Sequence, residues 1–143
     1  MREDYVEGTK ELNMAKKRVL LIDDEKSFTN LLKLNLEETG NYEVRVENWP
    51  EDAVNAAKEF RPDIVLLDII MPRLPGGNVA ALIKEEKQLR DTPIVFLTAA
   101  VRRHQVEEND GIICDFPCIA KPATVEMVIE AIEKHARKEP SRV

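Results

Sequence analysis

Ile64-Val65-Leu66-Leu67-Asp68 is four apolar residues closed by a carboxylate, and Ile69-Ile70-Met71-Pro72 follows at once. A short, unbroken apolar run of this kind reads as a strand covered on both faces. Two further runs have the same form: Val19 to Ile22, ended by Asp23-Asp24, and Ile94 to Leu97, ended by Thr98. Between and after them, apolar residues recur at helical spacing. Phe28, Leu31, Leu32 and Leu36 form one such set, and Ala53, Val54, Ala57 and Phe60 a second. Val79, Leu82 and Ile83 follow from a start near Gly77, and Val125, Val128, Ile129 and Ile132 make the clearest stripe. Short buried strands alternating with amphipathic helices predict an α/β fold, a single parallel sheet flanked by helices on both faces.

Tyr42 to Glu47 alternates apolar and polar residues, which predicts an edge strand with one wetter face. The last strand is weakly written. Pro117 has no N–H to give a central ladder, so Cys118-Ile119-Ala120 is its expected core. The polar stretch from Val101 to Gly111, with Arg102, Arg103 and His104, is expected to form a short or mobile helix with a wet surface. Residues 1–17 lack apolar periodicity and read as a mobile N-terminal extension; residues 18–136 form the domain, and 137–143 a charged C-terminal tail.

At 143 residues the chain fits one domain, and a net charge of −6 argues against a non-specific nucleic-acid surface. Cys114 and Cys118 are the only cysteines, and neither His104 nor His135 stands at ligand spacing to them. Both read as free thiols in a reducing cytoplasm. No apolar stretch approaches the roughly 20 residues of a membrane helix, and the charged start carries no signal-peptide core. A cytoplasmic location without membrane contact is therefore expected.

In open α/β sheets the chemistry sits beyond the carboxyl ends of the strands. Asp23 and Asp24, Asp68, Thr98, and finally Lys121 before Pro122 all fall at such ends. Three carboxylates on one rim repel each other and favour a hard divalent cation, Mg2+ above others. Asp23 taken alone could cap the first helix, Thr98 could be an ordinary strand-end hydroxyl, and Lys121 a solvated charge.

With Asp23-Asp24-Glu25, Asp68 to Pro72 with Gly76 beyond, Thr98-Ala99, and Lys121-Pro122 in this order, the chain resembles the response-regulator receiver domains of two-component signalling. The resemblance implies a flavodoxin-like, doubly wound (βα)5 fold with strand order 2-1-3-4-5. It implies that Asp68 is the phosphoacceptor, receiving a phosphoryl group from a phosphohistidine of a sensor histidine kinase or histidine phosphotransfer protein. Mg2+ would then be held by Asp23, Asp24, Asp68 and the backbone carbonyl of Ile70. Lys121 would pair with Asp68 and its phosphate, Thr98 would donate its hydroxyl to a phosphoryl oxygen, and Ala99 would leave the approach open. Met71, Pro72 and Gly76 shape the loop after Asp68, and the Lys121-Pro122 bond is expected to be cis. A regulatory phosphoacceptor of this kind is not an enzyme in its own right, and it acts by altering its binding to a downstream protein.

The resemblance is incomplete at three points. Receivers usually carry Tyr or Phe three residues before the lysine, where this chain has Cys118; Phe116, on the same strand face, is the alternative ring. Ile70 and Ala100, two residues beyond Asp68 and Thr98, are apolar and give a hydrolytic water no partner, which predicts slow loss of the phosphoryl group. No output domain is written after the last helix, so the chain reads as a stand-alone receiver or as the receiver part of a longer regulator. Three competing readings remain: a phosphorylation-independent scaffold, a dehalogenase-like phosphatase, and a flavodoxin-like cofactor binder. The phosphatase wants a second acid at the position of Ile70, and Asp23 and Asp24 would repel a phosphate cradled after the first strand.

Overall fold

The computed structural model describes residues 16–99, 112–113 and 116–138. Residues 1–15 of the expected N-terminal extension, the polar stretch from Val101 to Gly111, Ala100, Cys114 and residues 139–143 of the expected tail lie outside the described residues.

The chain runs β1 (Lys17–Ile22), α1 (Lys26–Glu38), β2 (Tyr42–Glu47), α2 (Ala53–Phe60), β3 (Ile64–Asp68) and α3 (Gly76–Glu85), then β4 (Ile94–Thr98), β5 (Ile112–Ile113), β6 (Phe116–Ala120) and α4 (Val125–His135). Short 3-10 turns at Pro50–Asp52 and Lys87–Leu89 lead into α2 and follow α3. Pro50 opens the first of these, where its missing N–H is no loss.

The sheet order is β2-β1-β3-β4-β6-β5. Five of these strands are parallel and in the expected order, with β6 as the fifth. The addition is β5, a two-residue antiparallel partner on the outer edge of β6. It resolves the difficulty of Pro117. Pairing with β4 begins only at Cys118, so the proline stands before the parallel ladder, opposite Ile112.

Because neighbouring strand residues point to opposite faces, the apolar runs feed two cores. Leu20, Ile22, Val65, Leu67, Phe96, Cys118 and Ala120 pack with Ala53, Ala57, Val79 and Ile83 from α2 and α3. Val19, Leu21, Leu66, Leu97 and Ile119 pack with Leu32, Leu36, Val128 and Ile132 from α1 and α4. Helices thus cover both faces, two to a side.

Two expected core positions prove to be exposed. Leu31 is 60% accessible and Leu82 41%. The buried stripe of α1 is Thr29, Leu32 and Leu36, and that of α3 is Val79, Ala80 and Ile83. A residue next to such a stripe sits about 100° around the helix and faces outward. Adjacent apolar residues such as Leu31-Leu32 and Leu82-Ile83 carry no label saying which of them turns inward.

Candidate functional site

Parallel strands send all their carboxyl ends to one edge, so the residues that terminate β1, β3, β4 and β6 meet there. Oxygens of Asp23, Asp24 and Asp68 all lie within 4.8 Å of one another. Asp23 and Asp68 are buried and Asp24 is exposed. One side of the cluster is therefore dry and the other open.

Asp23 is the most heavily held of the three. Its Oδ1 accepts the Glu25 amide at 2.9 Å, and its Oδ2 accepts the Lys121 ammonium at 2.6 Å. Asn48 Nδ2, just beyond β2, donates to the Asp23 carbonyl at 2.7 Å and to Thr29 Oγ1 at 3.0 Å. The turn after β1 is thereby tied to the end of β2 and to α1. Asp23 does not cap α1, whose N-cap is Glu25.

Asp68 Oδ1 accepts the Ile70 amide at 3.3 Å, and Oδ2 lies 3.7 Å from Lys121 Nζ. Its carboxyl is pushed up from 3.8 to about 6, first by burial and next by the Asp23 charge, with Asp24 adding a little. Lys121 and the Ile70 amide pull the other way. Burial also opposes the charge on Lys121, but Asp23 and then Asp68 and Glu25 outweigh it and hold the ammonium above its ordinary range. The ammonium is thus shared, with its shortest bond to Asp23 instead of Asp68. The reason is solvation: Asp23 has no exposure at all, so the nearest cation must compensate it.

Lys121 is fixed from its own strand end, where its amide donates to the Thr98 carbonyl at 2.9 Å and its peptide to Pro122 is cis. Thr98 is fully buried and stands opposite Ala120, while Ala99 is exposed beside it. Met71 is buried in the α2–α3 core and Pro72 faces solvent. Gly76 opens α3 directly against the chain leaving Asp68, its amide donating to the Ile69 carbonyl at 2.8 Å.

Cys118 and Phe116 share one face of β6, as alternation requires. Cys118 lies opposite Phe96, and burial pushes its thiol pKa up. Phe116 rests edge-on against Phe96, centroids 5.2 Å apart at 68°. It precedes Ala120, the partner of Thr98, by four residues, or about 13 Å of strand.

Sequence reasoning overlooked Asn48, Glu25 as a neighbour of Lys121, and the Phe28 ring, 4.3 Å from the Lys121 ammonium. Asn48 could have been found, since it follows the strand beside β1. Phe28 could not, because it reads as one more core position of α1.

The arrangement can hold a hard cation on its acidic side and neutralise an anion with its ammonium. Residues 19–133 match the family of response regulator receiver domains. The chain belongs to that family. Among receiver relatives, the polar-differentiation response regulator DivK of Brucella anthropi is 30% identical over 119 residues, 83% of this chain and 95% of DivK. The alkaline phosphatase synthesis transcriptional regulatory protein PhoP of Bacillus subtilis is 37% identical over 83 residues, 58% of this chain and only 33% of PhoP. The receiver domain of the sensor histidine kinase PA1611 from Pseudomonas aeruginosa, determined with a magnesium ion coordinated in its active-site cleft, superposes with a TM-score of 0.69 at 25% identity, covering 84% of this chain and 97% of that one. Chemotaxis protein CheY4 of Vibrio cholerae shares the fold with a TM-score of 0.71 at 24% identity, over 84% of this receiver and 98% of its own chain. No helix among the described residues is long and apolar enough to cross a membrane.

Proposed function

We propose that Asp68 is the phosphoacceptor of a His-Asp relay. A phosphohistidine of a sensor histidine kinase or histidine phosphotransfer protein is the donor, and the phosphorylated receiver changes its binding to a downstream protein. The observation that carries this reading is the setting of Asp68: a strand-end carboxylate, nearly buried, within 4.8 Å of two further acids and 3.7 Å from a shared ammonium. An Asp68 oxygen attacks phosphorus in line, the P–N bond breaks with its electron pair leaving on the imidazole, and an acyl phosphate results.

The three carboxylates fit Mg2+: hard oxygen donors, close enough to share one ion, two of them buried with too little cationic compensation. Asp23, Asp24 and Asp68 would hold it, with the Ile70 carbonyl. Bound there, Mg2+ neutralises charge on the phosphoryl oxygens. The chain's own groups do the rest. Lys121 transfers part of its attention from Asp23 to the incoming phosphoryl oxygens, and Thr98, at the neighbouring strand end, offers a hydroxyl. Ala99 leaves the entrance clear, and Met71, Pro72 and Gly76 hold the loop that carries Ile70. Cys118 carries no ring and Phe116 stands four residues before Ala120, the partner of Thr98, so neither serves as an aromatic switch in this reading.

Acetyl phosphate with Mg2+ tests the assignment. A phosphoryl adduct on Asp68, detected by intact mass and absent from Asp68→Asn, is the expected result. Absence of any adduct, with phosphohistidine donors as well, would leave a phosphorylation-independent scaffold as the reading.

Persistence of the adduct follows from Ile70, a residue 59% exposed at the rim whose side chain offers water no hydrogen bond. Ile70→Asn is expected to speed loss of the label by about twofold to tenfold, the value of one hydrogen bond to a positioned water. An unchanged half-life would count against this.

A further inference from the structure

Among the described residues, three carboxylates and one aromatic ring surround the Lys121 ammonium. Asp23 Oδ2 accepts from it at 2.6 Å, and Asp68 Oδ2 and Glu25 Oε1 each stand 3.7 Å away. The fourth is the Phe28 ring, with Nζ 4.3 Å from its centroid. Only 14% of the lysine side chain is accessible.

These neighbours differ in what they ask of the lysine. A carboxylate takes an N–H in a directed bond and competes with any other anion for it. An aromatic face attracts the charge through its quadrupole and leaves the three N–H donors free to choose partners. The ring is also well anchored. Phe28 lies in the first turn of α1 and packs against the α1–α4 core, so it does not follow the lysine as it moves. Without the ring, a four-carbon stem could swing its head toward Glu25, whose side chain is 61% exposed, and so toward water.

We propose that Phe28 is a positioning residue for Lys121, an anchored π-face that keeps the ammonium inside the site while it moves from Asp23 to a phosphoryl oxygen. The inference rests on the reading of Asp68 as phosphoacceptor and adds to it a residue that acts through Lys121. Nothing at the sequence level separates Phe28 from the leucines of α1.

The test uses the full chain with Phe28→Leu, which keeps apolar bulk, Phe28→Tyr, which keeps the face, and pentafluorophenylalanine at position 28, which keeps the shape and reverses the quadrupole. Two quantities are measured: the initial rate of phosphorylation by acetyl phosphate with Mg2+, and the proton shift of the Lys121 ε-methylene. Phe28→Leu and the fluorinated ring are expected to slow phosphorylation by about twofold to tenfold. Phe28→Leu should also abolish the upfield ring-current shift, and Phe28→Tyr should keep both rate and shift. Leucine or the fluorinated ring reacting at the wild-type rate overturns the proposal, as does tyrosine falling as far as leucine. Should Phe28→Leu not fold, the fluorinated ring and tyrosine decide alone. If the wild-type chain takes no label, the phosphoacceptor reading fails, and an absent ring-current shift on Lys121 then overturns the Phe28 contact separately.

Discussion

Replacing Asp68 with asparagine is expected to make the metal-free protein more stable by about 2 to 3 kcal/mol at pH 8, although it removes the residue at the centre of the site. The cause is the carboxyl's rise from 3.8 to about 6, driven by burial and then by Asp23. The folded state therefore binds the Asp68 proton more tightly than the unfolded chain does. Where the folded state holds more protons, stability falls as pH rises. The loss accumulates across the window from pH 3.8 to about 6 and is complete above it. Asparagine resembles the protonated carboxyl in shape and can still accept the Ile70 amide, so it escapes the deficit. Urea unfolding of both proteins between pH 3.5 and 8 checks this. The gap should be largest at pH 8 and close toward pH 4. A wild type as stable as the variant at pH 8 would show that Lys121 already compensates the Asp68 charge. Adding Mg2+ at pH 8 should reverse the order by stabilising the wild type, and the effect should weaken below pH 6, where the proton competes for the same oxygens.

Gly76→Ala is expected to destabilise the fold by about 3 kcal/mol, more than an alanine at a helix start ordinarily does. A Cβ at Gly76 would overlap the Asp68 carbonyl oxygen and come within 2.7 Å of the Ile69 Cα. Those atoms are backbone and cannot rotate aside, so the start of α3 and the end of β3 must move apart. The displaced segment carries Asp68 and Ile70, and Mg2+ affinity should fall with stability. Gly77→Ala is the internal control. Its Cβ would meet nothing within 4 Å, and alanine restricts the unfolded chain, so a gain of about 0.5 kcal/mol is expected. Equal midpoints for the two variants in urea would refute the steric account.

Much of this site is legible before any coordinates. Ile64 to Leu67 and Val19 to Ile22 are short and have no polar interruption, so they read as strands covered on both faces, and what ends them lands at one rim. Pro117 shows where such reading stops. It correctly marked the last strand as irregular, but the remedy came from Ile112 and Ile113, whose role depends on a partner across the edge. Leu31 and Leu82 fail for a similar reason, since helical spacing selects a face only after the sheet has chosen one.

The order of apolar runs and the residues that close them determined the α/β fold and the gathering of Asp23, Asp24, Asp68, Thr98 and Lys121, because parallel strands share a direction and so share a carboxyl edge. Tertiary structure alone decided that Lys121 bonds first to Asp23, that Phe28 lies beneath it, that Asn48 secures the turn after β1, and that Gly76 has no room for a methyl group. Each of these depends on a distance of a few ångströms between elements far apart in the chain. Local patterning sets direction and periodicity, and only packing sets such distances.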